Sequence, residues 1–292
     1  MLFDTVCIVG VGLIGGSFGI AARERGLARR VVGAARREET IQAAHGIGAI
    51  DEGTTDLESA ARGADLIFLA PPVGQMQPLC ERIAPVVRAD AIVTDAGSTK
   101  AGIVRDCTRL FAPKAYFVGG HPMAGSEQTG VEAARGNLFE NAIWVLTPTA
   151  ETPPPVVNQL LALVEGVGAM PLLLNAPAHD ALLAVTSHLP HVTAAALVHL
   201  FAEAKDESEV AQQLVAGGWR DSTRIAAGSA EMWRDICLAN APALSRSLDD
   251  MIEQLETVRA LLVQENGDRL LEWFERAAVT RRKQGYIPRA PK

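Results

Sequence analysis

The chain has 292 residues, 48% of them apolar and 21% charged, with a formal net charge of −7. That length and apolar share predict about two globular domains and exclude a disordered chain. The balance is acidic with no basic run, so nucleic acid is not expected as a partner.

The four cysteines, Cys7, Cys80, Cys107 and Cys237, form neither a Cys-x-x-Cys pair nor a metal-ligand spacing. A reducing compartment and no metal site are expected. Met1 leads almost directly into a predicted strand, with no charged-then-apolar leader. No uninterrupted apolar stretch reads as long enough to span a bilayer. These features predict a cytoplasmic protein without membrane contact.

The first strand, Val6-Cys7-Ile8-Val9, runs into Gly10-Val11-Gly12-Leu13-Ile14-Gly15 and then an apolar helical pattern to Gly26. Gly10 allows a sharp turn, Gly12 lets the backbone approach a pyrophosphate, and Gly15 lets the helix lie close to the strand. Phosphates would sit on free N–H groups at the positive end of that helix. Position between a strand and a helix makes this spacing a dinucleotide signature, with Leu13 and Ile14 counted in the site. A glycine-rich turn without a ligand is the alternative.

Val31 to Ala35 reads as the second strand. An acidic residue is expected about 20 residues past the glycines, where it would hold a ribose 2′-hydroxyl. Ala35 stands there instead, followed by Arg36 and Arg37. Guanidinium forks suit a 2′-phosphate, so NADP is favoured over NAD. Two solvated arginines opening a helix are the alternative.

Leu57 to Arg62 reads as a short helix, and Asp65 to Ala70 as a buried strand stopped by Pro71-Pro72. Ala70 and Pro71 fall where a cofactor would cross the strand's carboxyl end. Gln75 to Arg88 is predicted helix and Ala91 to Asp95 strand. Ala96-Gly97-Ser98-Thr99-Lys100 then turns into another helix, where Ser98 serves a site or caps the helix.

Tyr116 to Val118 reads as a strand leading into Gly119-Gly120-His121-Pro122-Met123-Ala124-Gly125-Ser126-Glu127. His121 is expected on a glycine-rich loop, and an imidazole suits general base work on a hydroxyl. A lone surface histidine is the alternative. Ala142 to Leu146 is a strand, Val156 to Val167 a helix, and Met170 to Leu174 a last strand. The alternation ends there. The expected domains are 1–174, a Rossmann-type doubly wound, mostly parallel α/β sheet, and 175–292, all helical.

The first helix beyond Asn175 contains Ser187-His188-Leu189-Pro190-His191, and Pro190 should kink it. Arg224 is expected near a helix start, where it binds a carboxylate or faces solvent. Pro242 to Gln264 and Asp268 to Lys283 read as long amphipathic helices. Their excess of apolar positions, among them Leu248, Leu255 and Leu262, suggests a dimer interface or a hairpin within one chain.

Taken together, these motifs resemble the prephenate/arogenate dehydrogenase family of tyrosine biosynthesis. The match runs in order through Val9 to Ser17, Asp95 to Lys100, Gly120 to Glu127, Ser187 to His191, Arg220 to Ala226 and Met232 to Asp235. The resemblance implies an oxidative decarboxylation of a cyclohexadienol, prephenate or arogenate. His121 would take the hydroxyl proton and Ser98 would hydrogen-bond the hydroxyl. His191 and Arg224 would bind carboxylates, Ser126 and Glu127 would line the pocket, and His188 is a further substrate-side candidate. A homodimer through the helical domain is implied as well. Two other readings stay open: a β-hydroxyacid-type dehydrogenase and a non-catalytic NADP sensor. The first looks to a helix lysine for catalysis, and only Lys205 lies between Asn175 and Gln264. The second would need no His121, Ser98 or Arg224.

Overall fold

The computed structural model describes residues 1–126 and 128–284, without the side chains of Glu207 and Glu209. It divides into two compact units, Met1–Leu182 with Gly228–Asn240, and Leu183–Ala227 with the chain from Ala241 on.

The first unit begins with β1 (Phe3–Val9), α1 (Leu13–Glu24), β2 (Ala28–Ala34), α2 (Glu38–Gly46), β3 (Glu52–Thr54), α3 (Leu57–Ala61) and β4 (Leu66–Leu69). It continues with α4 (Val73–Ile83), β5 (Ile92–Asp95), α5 (Ala101–Phe111) and β6 (Tyr116–Pro122). Then come β7 (Ile143–Thr147), α6 (Pro154–Gly166), β8 (Met170–Leu173) and α7 (Ala176–Leu183). The strands form one sheet in the order β3-β2-β1-β4-β5-β6-β7-β8. Every neighbouring pair is parallel except β6 and β7. The chain steps outward from β1 to β3 and returns to β4 on the other side of β1. That reversal opens a crevice at the carboxyl ends of β1 and β4, where doubly wound sheets bind ligands.

Helices on both faces explain why residues 6–9 of β1 and all of β4 are apolar. Alternate residues point to opposite faces. Val6, Ile8, Leu66 and Phe68 enter one core with Phe18 and Trp144. Cys7, Val9, Ile67 and Leu69 enter the other with Cys80, Cys107 and Phe111. The Phe18 and Phe68 rings lie 4.2 Å apart. Full burial of each such ring contributes about 1.5–3 kcal/mol.

Strand β3 is not among the elements predicted from sequence, and α2 figures there only as the helix that the two arginines would open. Strand β3 is only Glu-Gly-Thr, with no apolar run, and exists through its register with β2, Val32↔Glu52 to Ala34↔Thr54. His121 also differs from expectation: it lies within β6, paired with Val145, rather than on the loop beyond.

The second unit starts with a π-helical turn, Ala184–His188, leading into α8 (Leu189–Glu207). Pro190 falls in the first turn of α8. It has no N–H to offer the turn before it, and the widened backbone there absorbs the loss. A 3-10 turn (Glu209–Leu214), α9 (Gly217–Thr223) and a second 3-10 turn (Arg224–Ala227) follow. Helix α10 (Ala230–Ala239) belongs to the first unit, and α11 (Ala241–Val263) and α12 (Gly267–Lys283) to the second.

One helical stretch bears on the membrane expectation. The helical stretch Ala176–Asp206 is long and apolar enough to cross a bilayer by length and composition, with mean hydropathy 1.5 in its best 18-residue window. About a third of that window, 33%, is buried inside the protein. Scattered polar residues such as His188 and His191 break the uninterrupted run that the sequence reading looked for.

Candidate active site

The glycine turn after β1 has two kinds of glycine. Gly10 has φ +93°, and a Cβ there would come within 2.9 Å of the Ala70 carbonyl oxygen at the tip of β4. A Cβ on Gly15 would lie 2.1 Å from the Gly10 carbonyl oxygen. Both are demanded by close approach within the protein. Gly12 is not: a Cβ there would meet nothing within 4 Å. Gly12 caps α1, and no side chain caps that helix end. Open space above uncapped N–H groups fits a pyrophosphate.

Other cofactor-side residues line up along the same sheet edge. Leu13 and Ile14, half-buried, open α1. Ala70 and Pro71, also half-buried, follow β4, with the Ala70 N–H donated to Val9 at 2.8 Å. Ala35 follows β2, and exposed Arg36 and Arg37 come next, Arg37 as the cap residue of α2. These residues fit a dinucleotide laid across the carboxyl ends of β1, β2 and β4.

Further along that edge, Asp95 ends β5. Asp95 and Lys100 are both fully buried and ion-paired. Asp95 Oδ2 also accepts the Gly97 N–H at 2.8 Å, and Oδ1 accepts the Gly120 N–H at 2.9 Å. One carboxylate thus bends the loop that carries half-buried Ser98 and ties it to β6 beside His121.

His121 is 8% exposed. Its Nδ1 lies 2.8 Å from His179 Nε2. His179 Nδ1 in turn lies 2.8 Å from Asp180 Oδ1. Asp180 Oδ1 accepts the Lys100 N–H at 2.7 Å and Oδ2 the Ala101 N–H at 2.8 Å, at the start of α5. Burial pushes the Asp180 carboxyl up, but hydrogen bonds from His179, Ala101 and Lys100 outweigh it and hold the group below the usual carboxylate range.

The sequence reading assigned no role to Asp95, Lys100, His179 or Asp180. For the last two a signal existed. Asn175 opens α7, its Oδ1 accepting the Ala178 N–H at 2.8 Å, and the His-Asp pair falls one turn later in an apolar helix.

The substrate-side candidates are divided between the two units. His188, 1% exposed, ends the π-helical turn in the second unit. His191 sits in α8, where burial pushes its pKa below the usual histidine value. Arg224 is exposed, follows the last residue of α9 and is the first residue of the second 3-10 turn, so it opens a helical segment, though not an α-helix. In the first unit, exposed Ser126 accepts the Gln128 N–H on its Oγ at 3.1 Å. Glu127 lies outside the described residues.

The chain matches two family patterns. "Prephenate dehydrogenase, nucleotide-binding domain" covers residues 18–173, and "Prephenate dehydrogenase, dimerization domain" covers residues 175–276. The prephenate dehydrogenase of Bacillus subtilis (strain 168) is 36% identical over 291 residues, 98% of this chain and 78% of that one. A structure of prephenate dehydrogenase from A. aeolicus, in complex with hydroxyphenyl propionate and NAD+, superposes with a TM-score of 0.90. It is 34% identical and the match covers 97% of this chain and 98% of that one. The structure of Synechocystis arogenate dehydrogenase gives a TM-score of 0.85 at 32% identity, covering 96% of this chain and 100% of that one. With its crevice, its glycine turn and these matches along nearly its whole length, the chain belongs to the prephenate dehydrogenase family.

Proposed function

We propose that this protein is a prephenate and/or arogenate dehydrogenase. It converts a cyclohexadienol to 4-hydroxyphenylpyruvate or tyrosine by NAD(P)-dependent oxidative decarboxylation. The observation that carries the reading is the placement of His121. It is buried at the carboxyl end of β6, on the same sheet edge as the Gly10-Gly12-Gly15 turn.

His121 takes the proton from the substrate hydroxyl, and Ser98 hydrogen-bonds that hydroxyl. The nicotinamide, when bound, accepts hydride from the carbon that bears it. Cleavage of the bond to the ring carboxylate releases carbon dioxide, and its electron pair makes the ring aromatic. In this reading His191 and Arg224 bind carboxylates of the substrate, and Ser126 and His188 are further substrate-side candidates. A histidine kept neutral by burial, as at His191, donates one hydrogen bond without adding charge.

NADP is the preferred cofactor in this reading. Ala35 cannot repel a 2′-phosphate, and exposed Arg36 and Arg37 can attract it. The protein works as a homodimer through its helical domain. Support comes from exposed Ile252, Leu255 and Leu262 on α11 and Leu271 and Phe274 on α12. Division at 174/175 and a cytoplasmic location belong to the same proposal. Steady-state rates with prephenate and arogenate, each with NADP and NAD, test it. Turnover of at least one substrate is expected; turnover of neither would overturn it.

A further inference from the structure

We infer that His179 and Asp180 are positioning residues that fix the tautomer of His121 and make Nε2 its basic nitrogen. This rests on His121 being the base of the proposed reaction.

The argument is one of donors and acceptors. Backbone N–H groups can only donate. Asp180 Oδ1 accepts the Lys100 N–H and Oδ2 accepts the Ala101 N–H, so both carboxylate oxygens are held as acceptors. His179 Nδ1, 2.8 Å from Oδ1, must therefore carry a hydrogen. In its neutral form His179 has one N–H and one acceptor nitrogen, so its Nε2 is then the acceptor. His121 Nδ1 faces it at 2.8 Å and must donate. That leaves Nε2 of His121 as the nitrogen that takes a proton.

The order survives the reaction. When Nε2 of His121 gains a proton, the Nδ1–H still points at the acceptor of His179. The new positive charge is then two hydrogen bonds from the Asp180 carboxylate. No ring has to flip and no tautomer has to change. The whole chain is buried: His179 is 0% and Asp180 4% exposed. Little water is present to offer competing hydrogen bonds, so the arrangement is specific. Asn240 Nδ2 donates to the Asp180 carbonyl at 2.8 Å and adds a second hold on this turn of α7. A carboxylate that orients an imidazole in this way is familiar from hydrolase triads, where it sets the tautomer without taking the proton. Here a second imidazole stands between the two.

The test reads the ring nitrogens directly. The whole protein is labelled with 15N-histidine, and the His121 signals among the six histidines are assigned by their loss in His121→Asn. Neutral His121 is expected as the Nδ1–H form in wild type. In His179→Phe and in Asp180→Ala that preference should be lost. For His179→Phe, kcat should fall about 10- to 100-fold, the range for removing groups that orient metal-ligating histidines. The dissociation constant for NADP should hold level. His179→Gln keeps an acceptor near the Nε2 position and should recover part of the rate. A wild-type His121 found as the Nε2–H form would overturn the inference, even if both variants failed to fold. An unchanged tautomer with unchanged kcat in His179→Phe would do the same. If the wild type turns over neither substrate, the functional reading fails, and the nitrogen signals still decide the tautomer.

Discussion

Asp95 accepts the backbone N–H of Gly120 at 2.9 Å, so the tip of β5 is tied to β6 one residue before His121. A Cβ on Gly120 would sit 2.4 Å from the Asp95 carbonyl oxygen, so only glycine allows this approach. The same carboxylate is the ion-pair partner of fully buried Lys100. Its removal would strand a buried ammonium group. Asp95→Ala should therefore destabilise the protein by about 3–5 kcal/mol, measured by denaturant unfolding. Unchanged stability would mean that Lys100 finds another partner.

His121→Asn should lower kcat about 10²–10⁴-fold while cofactor affinity stays nearly level. Stopped-flow turnover and cofactor titration on the same sample separate the two. Near-normal turnover would remove His121 from the chemistry.

Much of this site was legible in the sequence, and the limits have physical causes. The glycine turn could be read because its three glycines recur at a fixed spacing within six residues, between a strand and a helix. His121 could be singled out because it stands on a glycine-rich stretch just beyond a predicted strand. Its partner could not: His179 is 58 residues away and is brought near by folding alone. The same holds for the bond between Asp180 and Lys100, which joins the middle of α7 to the start of α5 across 80 residues. Strand β3 escaped because pairing with β2, not apolar content, makes it a strand. The antiparallel step from β6 to β7 escaped too, since an apolar run carries no direction.

Arg224→Ala should raise KM for the substrate about 10- to 150-fold, the worth of a charge-assisted hydrogen bond. NADP affinity should not move. Equal KM values in mutant and wild type would return Arg224 to the solvent-facing surface beyond α9.

Cofactor choice should favour NADP, and Ala35→Asp combined with Arg36→Ala should reverse it. Specificity between two such cofactors needs an attraction added and a repulsion removed. Arg36 and Arg37 are exposed, so water and salt weaken each contact, and each is expected to contribute about 1–2 kcal/mol. The comparison is kcat/KM for each cofactor at saturating substrate. A wild type faster with NAD would show that the arginines do not reach a phosphate.

Light scattering at micromolar concentration should give twice the mass of one chain, and Leu255→Asp with Phe274→Asp should shift it toward one. Both side chains are more than half exposed in the single chain, at 60% and 55%. Burying such side chains against a second copy contributes about 1.5–3 kcal/mol each. A wild-type monomer would contradict this surface assignment.

The return of Gly228–Asn240 to the first unit has a consequence for how the chain can be cut. Helix α10 comes back against α4, where a Cβ on Gly74 would lie 2.6 Å from the Asp235 carboxylate, and Asn240 reaches the Asp180 carbonyl. The polypeptide therefore passes between the units three times. A fragment that stopped at residue 174 would keep every glycine of the cofactor turn, yet it would lose His179, Asp180 and the helix that steadies them. A single nick between 183 and 227 would leave that helix attached by side-chain and backbone contacts alone. On the role proposed for His121, nucleotide binding and readiness for proton transfer should be separable by truncation, although one compact unit holds the residues for both.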